Sequence, residues 1–228
     1  MQAKIDFDTN INEVVYLNNI SRQDSKNDKI YFKVIILLLS AKLEKYVKDS
    51  TKEYINTILK FHLTKDKLPQ KFVKEIIKNE LKFIEDKSIE KYLNNDNCKK
   101  RAQIFSLIWD ARYKLHDLGQ DDFVISISNN GTNAFKETYK KIGFDNMIEQ
   151  LSDYTEESDV SDLETTTKHS ICETINKIIK IRHEIIHEDA TPSITRSNIN
   201  LFVNILKSFV EQIDAILTQE LNSLSENT

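Results

Sequence analysis

The sequence predicts an all-α helical bundle with a long central helix and one or two short peripheral extras. Three observations carry that expectation. Glycine occurs three times and proline twice in 228 residues, too few for the tight turns of a sandwich or barrel. Apolar residues recur at three- and four-residue steps over long stretches. Lysine, isoleucine, leucine, glutamate and asparagine dominate the composition, as packed amphipathic helices require.

Each element follows from that periodicity. Residues 9–21 predict a short helix with Ile11, Val14, Val15, Leu17 and Ile20 on its apolar side. The polar run SRQDSKND breaks it, and Asn27 or Asp28 is placed to cap a long helix over about 29–62. The first half of that helix is apolar on nearly every side, which predicts a path through the bundle centre. TKDKLP ends it. Phe72, Val73, Ile76, Ile77, Leu81 and Ile84 predict a helix over about 70–85, and Ile104, Phe105, Leu107, Ile108 and Trp109 another over 99–117. FVISIS alternates and is the only strand-like piece. NNGTNAFKETYKKIGF reads as a loop followed by a helix stopped at Gly143. The acidic run DYTEESDVSDLE predicts a solvent-exposed loop over 152–164. A helix over about 163–189 follows, and Pro192 bars its continuation. In the last helix, about 197–222, Ile199, Phe202, Leu206, Phe209, Ile213 and Ile216 form a packing seam.

Charge and cysteine usage narrow the function classes. The formal net charge of −4 does not advertise tight sequence-independent binding to nucleic acid. Cys98 and Cys172 stand far apart, without zinc-knuckle spacing, which fits a reducing cytoplasm. The N-terminus carries early acidic residues and lacks the apolar core of a signal peptide. The run IYFKVIILLLSA is too short to span a bilayer and is interrupted by Lys33. No membrane partner is expected.

The informative stretch is KIIKIRHEIIHEDATP, residues 177–192. On a helix at about 100° per residue, Ile171, Ile175, Ile178, Ile179, Ile185 and Ile186 fall in one apolar arc, with Arg182 near its middle. A guanidinium there is costly unless it is paired or lines a wet cleft. Glu44 lies on the same side of the long helix as Val34, Leu37, Ala41 and Ile55, so an Arg182–Glu44 pair is expected. A surface contact of Glu44 with Lys48 is the competing reading. His187 falls in the last turn of its helix, where the negative end of the helix dipole favours imidazolium. A histidine suits general acid–base work near neutral pH, and an arginine fork suits phosphate oxygens. Together they fit cleavage of RNA through its 2′-hydroxyl.

The same stretch also reads as H-E-x-x-H, with His183 and His187 as zinc ligands and Glu184 as base. The surroundings support that parse poorly. Ala190 and Ser193 stand where the extended motif carries glycine and a third histidine, and Glu211, a conceivable third ligand, lies beyond Pro192. No metal site and no cofactor is therefore expected.

IKIRHEIIHED resembles the R-x4–6-H motif of HEPN domains (higher eukaryote and prokaryote nucleotide-binding), whose arginine is usually followed by a polar residue, here His183. The run YFKVIILLLSAKLEKYVKD is similar to the early HEPN helix in which an apolar stretch leads to a glutamate followed by an aromatic, here Glu44 and Tyr46. SNNGTNAFKETYKKIGFD resembles the loop–helix segment that precedes the motif helix in prokaryotic HEPN families regarded as nucleases. The resemblance spans about residues 29–218.

That resemblance implies an α-helical bundle, usually a homodimer with two R-x4-H motifs facing across a cleft. It implies a metal-independent endoribonuclease, a toxin or phage-defence effector, that leaves 2′,3′-cyclic phosphate and 5′-hydroxyl ends. On it, Arg182 orients and stabilises the scissile phosphate and His187 is acid or base. His183 supports that geometry or contacts RNA, and Glu44 holds Arg182. Lys99, Lys100, Arg101 and Lys180, with Lys136, Lys140 and Lys141, are the positive groups available to an RNA backbone. Glu188 and Asp189, directly after His187, oppose one. An antitoxin or other defence-system protein is the implied protein partner. The chain is expected to be one HEPN-like domain over 1–228, with residues 1–26 as an N-terminal extension. A non-cutting HEPN-like module that binds a nucleotide or a protein, and a zinc hydrolase, are the competing readings.

Overall fold

The computed structural model describes residues 1–85, 131–160 and 163–226. These residues form an all-α fold carrying one small β-hairpin. In chain order the elements are α1 (Gln2–Asn10), α2 (Asn12–Gln23), α3 (Asp28–Lys60), α4 (Gln70–Glu85), α5 (Thr132–Lys141), β1 (Tyr154–Val160), β2 (Leu163–His169), α6 (Ile171–Glu188) and α7 (Arg196–Ser225). Single turns of 3-10 helix precede α3 and α4. The expected helix over 99–117, the FVISIS strand, Cys98 and the Lys99–Lys100–Arg101 cluster lie outside the described residues.

Residues 1–26 hold two helices, where one over 9–21 was expected. Two helices meet at Ile11, which keeps helical dihedrals and is fully buried. Phe7 below the junction and Val14 above it are buried as well. The start of α3 falls at Asp28, which sits in the first helical turn rather than at the cap. Arg196, at the start of α7, grips it. Its Nη2 donates to both Asp28 carboxylate oxygens at 2.5 Å and to the Ser21 carbonyl at 2.8 Å.

Three expectations are corrected. The acidic run does not form a loop: β1 and β2 pair antiparallel from Tyr154↔His169 to Val160↔Leu163. The threonines at 165–167 favour extended backbone, and no apolar alternation announces the pairing. Accordingly the motif helix starts at Ile171, not near 163. Ser170 caps it by accepting a 3.3 Å hydrogen bond from the Glu173 amide. Nor is the first half of α3 buried on every side. Phe32, Ile35, Ile36, Leu39 and Leu43 enter the core, whereas Ile30 and Val34 are exposed.

The described residues divide into two compact units. The first takes in Met1–Ser50, residues 131–136 and Asn146–Ile216. At its centre the Tyr46 ring packs edge-on against Phe7 and Phe209, and Phe209 also meets Phe135. The buried Tyr46 hydroxyl donates to the Val210 carbonyl at 3.1 Å, which satisfies the one polar atom such a ring brings inside. Ile175 and Ile178 of α6 and Ile199, Leu206 and Ile213 of α7 are fully buried.

The second unit takes in residues 51–85, Glu137–Asp145 and 217–226. Tyr54, Phe72 and Tyr139 are buried in it, and Tyr54 packs edge-on against Phe144. Gly143 ends the turn after α5 at φ +107°, where a side chain would meet Pro69. No helix among the described residues is long and apolar enough to cross a membrane.

Candidate functional site

α6 shows which side of the apolar arc is open. Ile171, Ile175, Ile178, Ile179, Ile181 and Ile185 are buried. Ile186, expected inside, is 53% exposed, and Ile181 takes its place in the core. The buried face thus turns away from Arg182 in the second half of the helix. Arg182 is left at the boundary where the apolar stripe gives way to a shallow groove lined by Ile179, Arg182, His183, Ile186 and His187.

The expected ion pair is present. Arg182 Nη1 donates to Glu44 Oε1 at 2.6 Å, with the two side chains 22% and 26% exposed. The Ser40 hydroxyl approaches the same Glu44 oxygen at 3.5 Å, the outer limit for a hydrogen bond. His183 and His187, one turn apart, bring their ring centroids within 4.3 Å at an interplanar angle of 44°. Both histidines are exposed. The structure therefore brings Arg182, Glu44, His183 and His187 together.

Among the described residues, three other candidate positive groups lie beside carboxylates. Lys180 lies on the exposed face of α6, 3.8 Å from Glu184. Lys136 pairs with Glu149, and Lys140 lies 3.7 Å from Glu137. Each of these three lysines faces a carboxylate on its own side of the surface.

Two contacts that sequence reasoning missed tie α6 to its neighbours. Lys33 Nζ donates to the Asp189 carbonyl at 2.9 Å and to Asp189 Oδ1 at 2.6 Å. Asp189 sits just past the end of α6 in the left-handed conformation, φ 49°. The hydrogen bond and charge of Lys33 hold its carboxyl below the usual carboxylate range. The signal was Lys33 itself, a lone charge inside an apolar run. At the other end, Asn176 Oδ1 accepts from the Thr132 amide at 3.0 Å and the Thr132 hydroxyl at 3.1 Å. Gly131, at φ +62°, leaves room for that amide, because a Cβ there would lie 2.4 Å from Asn176 Oδ1. Gly131 and Thr132, at the start of α5, are thereby fastened to the motif helix.

The zinc parse gains nothing further. Among the described residues no group of three His, Cys, Asp or Glu side chains forms a ligand set. Glu184, its nominal base, faces Lys180. Cys172 is a half-buried free thiol whose titration is pushed up by burial, then by Glu149, Asp153 and Glu173, which leaves it a poor nucleophile.

No curated protein and no solved structure matches the chain. A family model does: RiboL-PSP-HEPN matches residues 5–219, nearly the whole length and all the residues that line the groove. The chain belongs to the RiboL-PSP-HEPN family of HEPN domains.

Proposed function

We propose that the protein is a metal-independent endoribonuclease of the HEPN type. The observation that carries this reading is the Arg182–Glu44 pair at the edge of a groove shared with His183 and His187. In the reaction a base takes the proton of a ribose 2′-hydroxyl, and the 2′-oxygen attacks the adjacent phosphorus. The 5′-oxygen leaves with a proton. The products are a 2′,3′-cyclic phosphate and a 5′-hydroxyl. His187 is the acid or base, and Arg182 stabilises the charge that builds on the phosphorane oxygens. Glu44 holds the guanidinium in place. His183 packs against His187 and supports its ring or contacts RNA.

The site is completed by a second copy. α3 and α6 run antiparallel, since Lys33 reaches Asp189 and Glu44 reaches Arg182. Counted at about 100° per residue from the Glu44–Arg182 contact, Ile30, Val34 and Ala41 on α3 lie to the same side as Ile186, His183 and His187 on α6. Ile30, Val34 and Ile186 are 62%, 41% and 53% exposed, so an apolar strip adjoins the groove. A symmetric dimer through that strip sets two grooves against each other. The biological setting is a toxin or phage-defence effector, held by an antitoxin or another defence-system protein.

A non-cutting HEPN module is the second reading, favoured by the acidic net charge and by the carboxylate that Lys180 of the motif helix faces. Incubation with mixed RNA in excess chelator separates the two. The endoribonuclease reading expects cleavage that survives the chelator, yields cyclic-phosphate ends, and is lost in His187→Ala and Arg182→Ala. Intact RNA with the wild type, beside stoichiometric nucleotide or protein binding, decides for the non-cutting module.

A further inference from the structure

We infer that Lys33 is a positioning residue for the proposed cleavage, clamping the end of α6 so that His187 is presented at a fixed height beside Arg182. The inference rests on the endoribonuclease reading. Lys33 and Glu44 are eleven residues apart on α3, which puts them on one helical face, about 20° apart and three turns along. Arg182 and Asp189 are seven apart on α6 and again share a face. The two helices are thus joined by two charged contacts of opposite polarity, one at Arg182 and one just beyond His187.

The second contact is more than a surface ion pair. Lys33 binds the carbonyl as well as the carboxylate of Asp189, so it grips the backbone where the helix ends. That backbone is in the left-handed region, which glycine usually occupies after a helix. An aspartate there is mildly strained, and the Lys33 bonds favour the strained form. Two backbone bonds depend on it: the Asp189 and Ala190 amides both donate to the Glu184 carbonyl, the latter at 3.2 Å. These bonds wrap the chain around the turn that carries His187. Lys33 also neutralises Asp189, which leaves Glu188 as the nearest unmatched carboxylate after His187. Its stem is largely covered, the side chain being 23% exposed, so the ammonium is held rather than freely moving.

The test compares wild type, Lys33→Met, Lys33→Arg and Asp189→Asn on a mixed-sequence single-stranded RNA oligomer. Cleavage rate is measured against RNA concentration, and amide hydrogen exchange at Ala190 alongside. Lys33→Met is expected to lower kcat by about tenfold to a hundredfold with KM changed by no more than about twofold. Its Ala190 amide exchanges faster, and Lys33→Arg restores both. Asp189→Asn tolerates the left-handed backbone and loses only charge, so it reports on the clamp even where Lys33→Met does not fold. It shifts kcat in the same direction by less. Wild-type cleavage that depends on His187, with kcat unchanged in Lys33→Met and Asp189→Asn, overturns the clamp alone. Absence of any His187-dependent cleavage by the wild type removes the reading beneath it, and the clamp falls with it.

Discussion

Glu44→Gln isolates the feature on which the site depends. The substitution keeps the size of the side chain and one acceptor, and removes the charge that faces Arg182. An exposed ion pair is worth up to about 1 kcal/mol, and removing one partner of a fully buried pair costs about 3–5 kcal/mol. Here the side chains are 22% and 26% exposed, so the pair lies between those limits. The expected loss of stability is about 1–2 kcal/mol, which for a domain of this size lowers Tm by about 2–8 °C. Arg182→Met and the double variant complete a cycle by urea unfolding, with an expected coupling of about 1–2 kcal/mol. If Glu44 also orients the guanidinium toward the phosphate, the cleavage rate at saturating RNA falls by about tenfold or more in Glu44→Gln. A coupling below about 0.5 kcal/mol, the scatter of independent sites, together with an unchanged cleavage rate, would refute the assignment of Glu44 as the support of Arg182.

Ile186→Glu is expected to leave the protomer folded, within about 0.5 kcal/mol of wild type because the residue is already exposed. It puts a carboxylate twice into a symmetric contact, so sedimentation velocity should show a monomer; a persistent dimer places the interface elsewhere. Gly131→Ala forces a Cβ into Asn176 Oδ1 at a positive φ and should cost about 1–3 kcal/mol in urea unfolding; an unshifted midpoint contradicts the close approach. Burial, and then the charge of Glu220, holds the Tyr54 phenol above the ordinary tyrosine range. On raising the pH, the unfolded chain loses that proton first, at about pH 10. Stability is therefore intact below that point and declines above it. Tyr54→Phe should flatten the alkaline decline in Tm, and an identical pH profile in both proteins would show that Tyr54 contributes none of it.

The fold was legible where burial is periodic. α4 starts at Gln70, where its apolar spacing predicts, and α3 and α7 begin and end within a few residues of expectation. The Arg182–Glu44 pair was legible for a related reason: two charges on apolar faces of different helices have few ways to be satisfied except by each other. What the helical wheel could not supply is which flank of an apolar arc the rest of the chain covers. It placed Ile186 inside and left Ile181 out, because both border the same arc and only tertiary packing chooses between them. The hairpin was missed because its residues alternate no apolar side, so its pairing rests on backbone bonds and threonine geometry. Lys33 was noticed as an interruption of an apolar run, but its partner lies 156 residues away and is a backbone carbonyl as much as a carboxylate. Nothing in the spacing of side chains marks a carbonyl as an acceptor.

An acidic protein proposed to cut RNA needs a local charge that differs from its total charge, and the α3–α6 contacts bear on that local charge. Glu44 meets Arg182, both largely covered, and Lys33, itself largely covered, meets the exposed Asp189, so two of the cations on this pair of helices are already matched. The groove itself carries two imidazoles in tilted contact. Arg182 and Lys33, being matched by carboxylates, release few counterions to an RNA backbone and so attract it weakly over distance. The groove's selectivity then depends on short-range fit to one phosphodiester. Pairing two such grooves across the Ile30–Val34–Ile186 strip doubles the imidazoles and guanidinia around a single bound strand without altering the net charge of either copy. On the proposed reading, dimerisation and local charge act together: the second groove would bring a further pair of imidazoles and a further guanidinium to the strand.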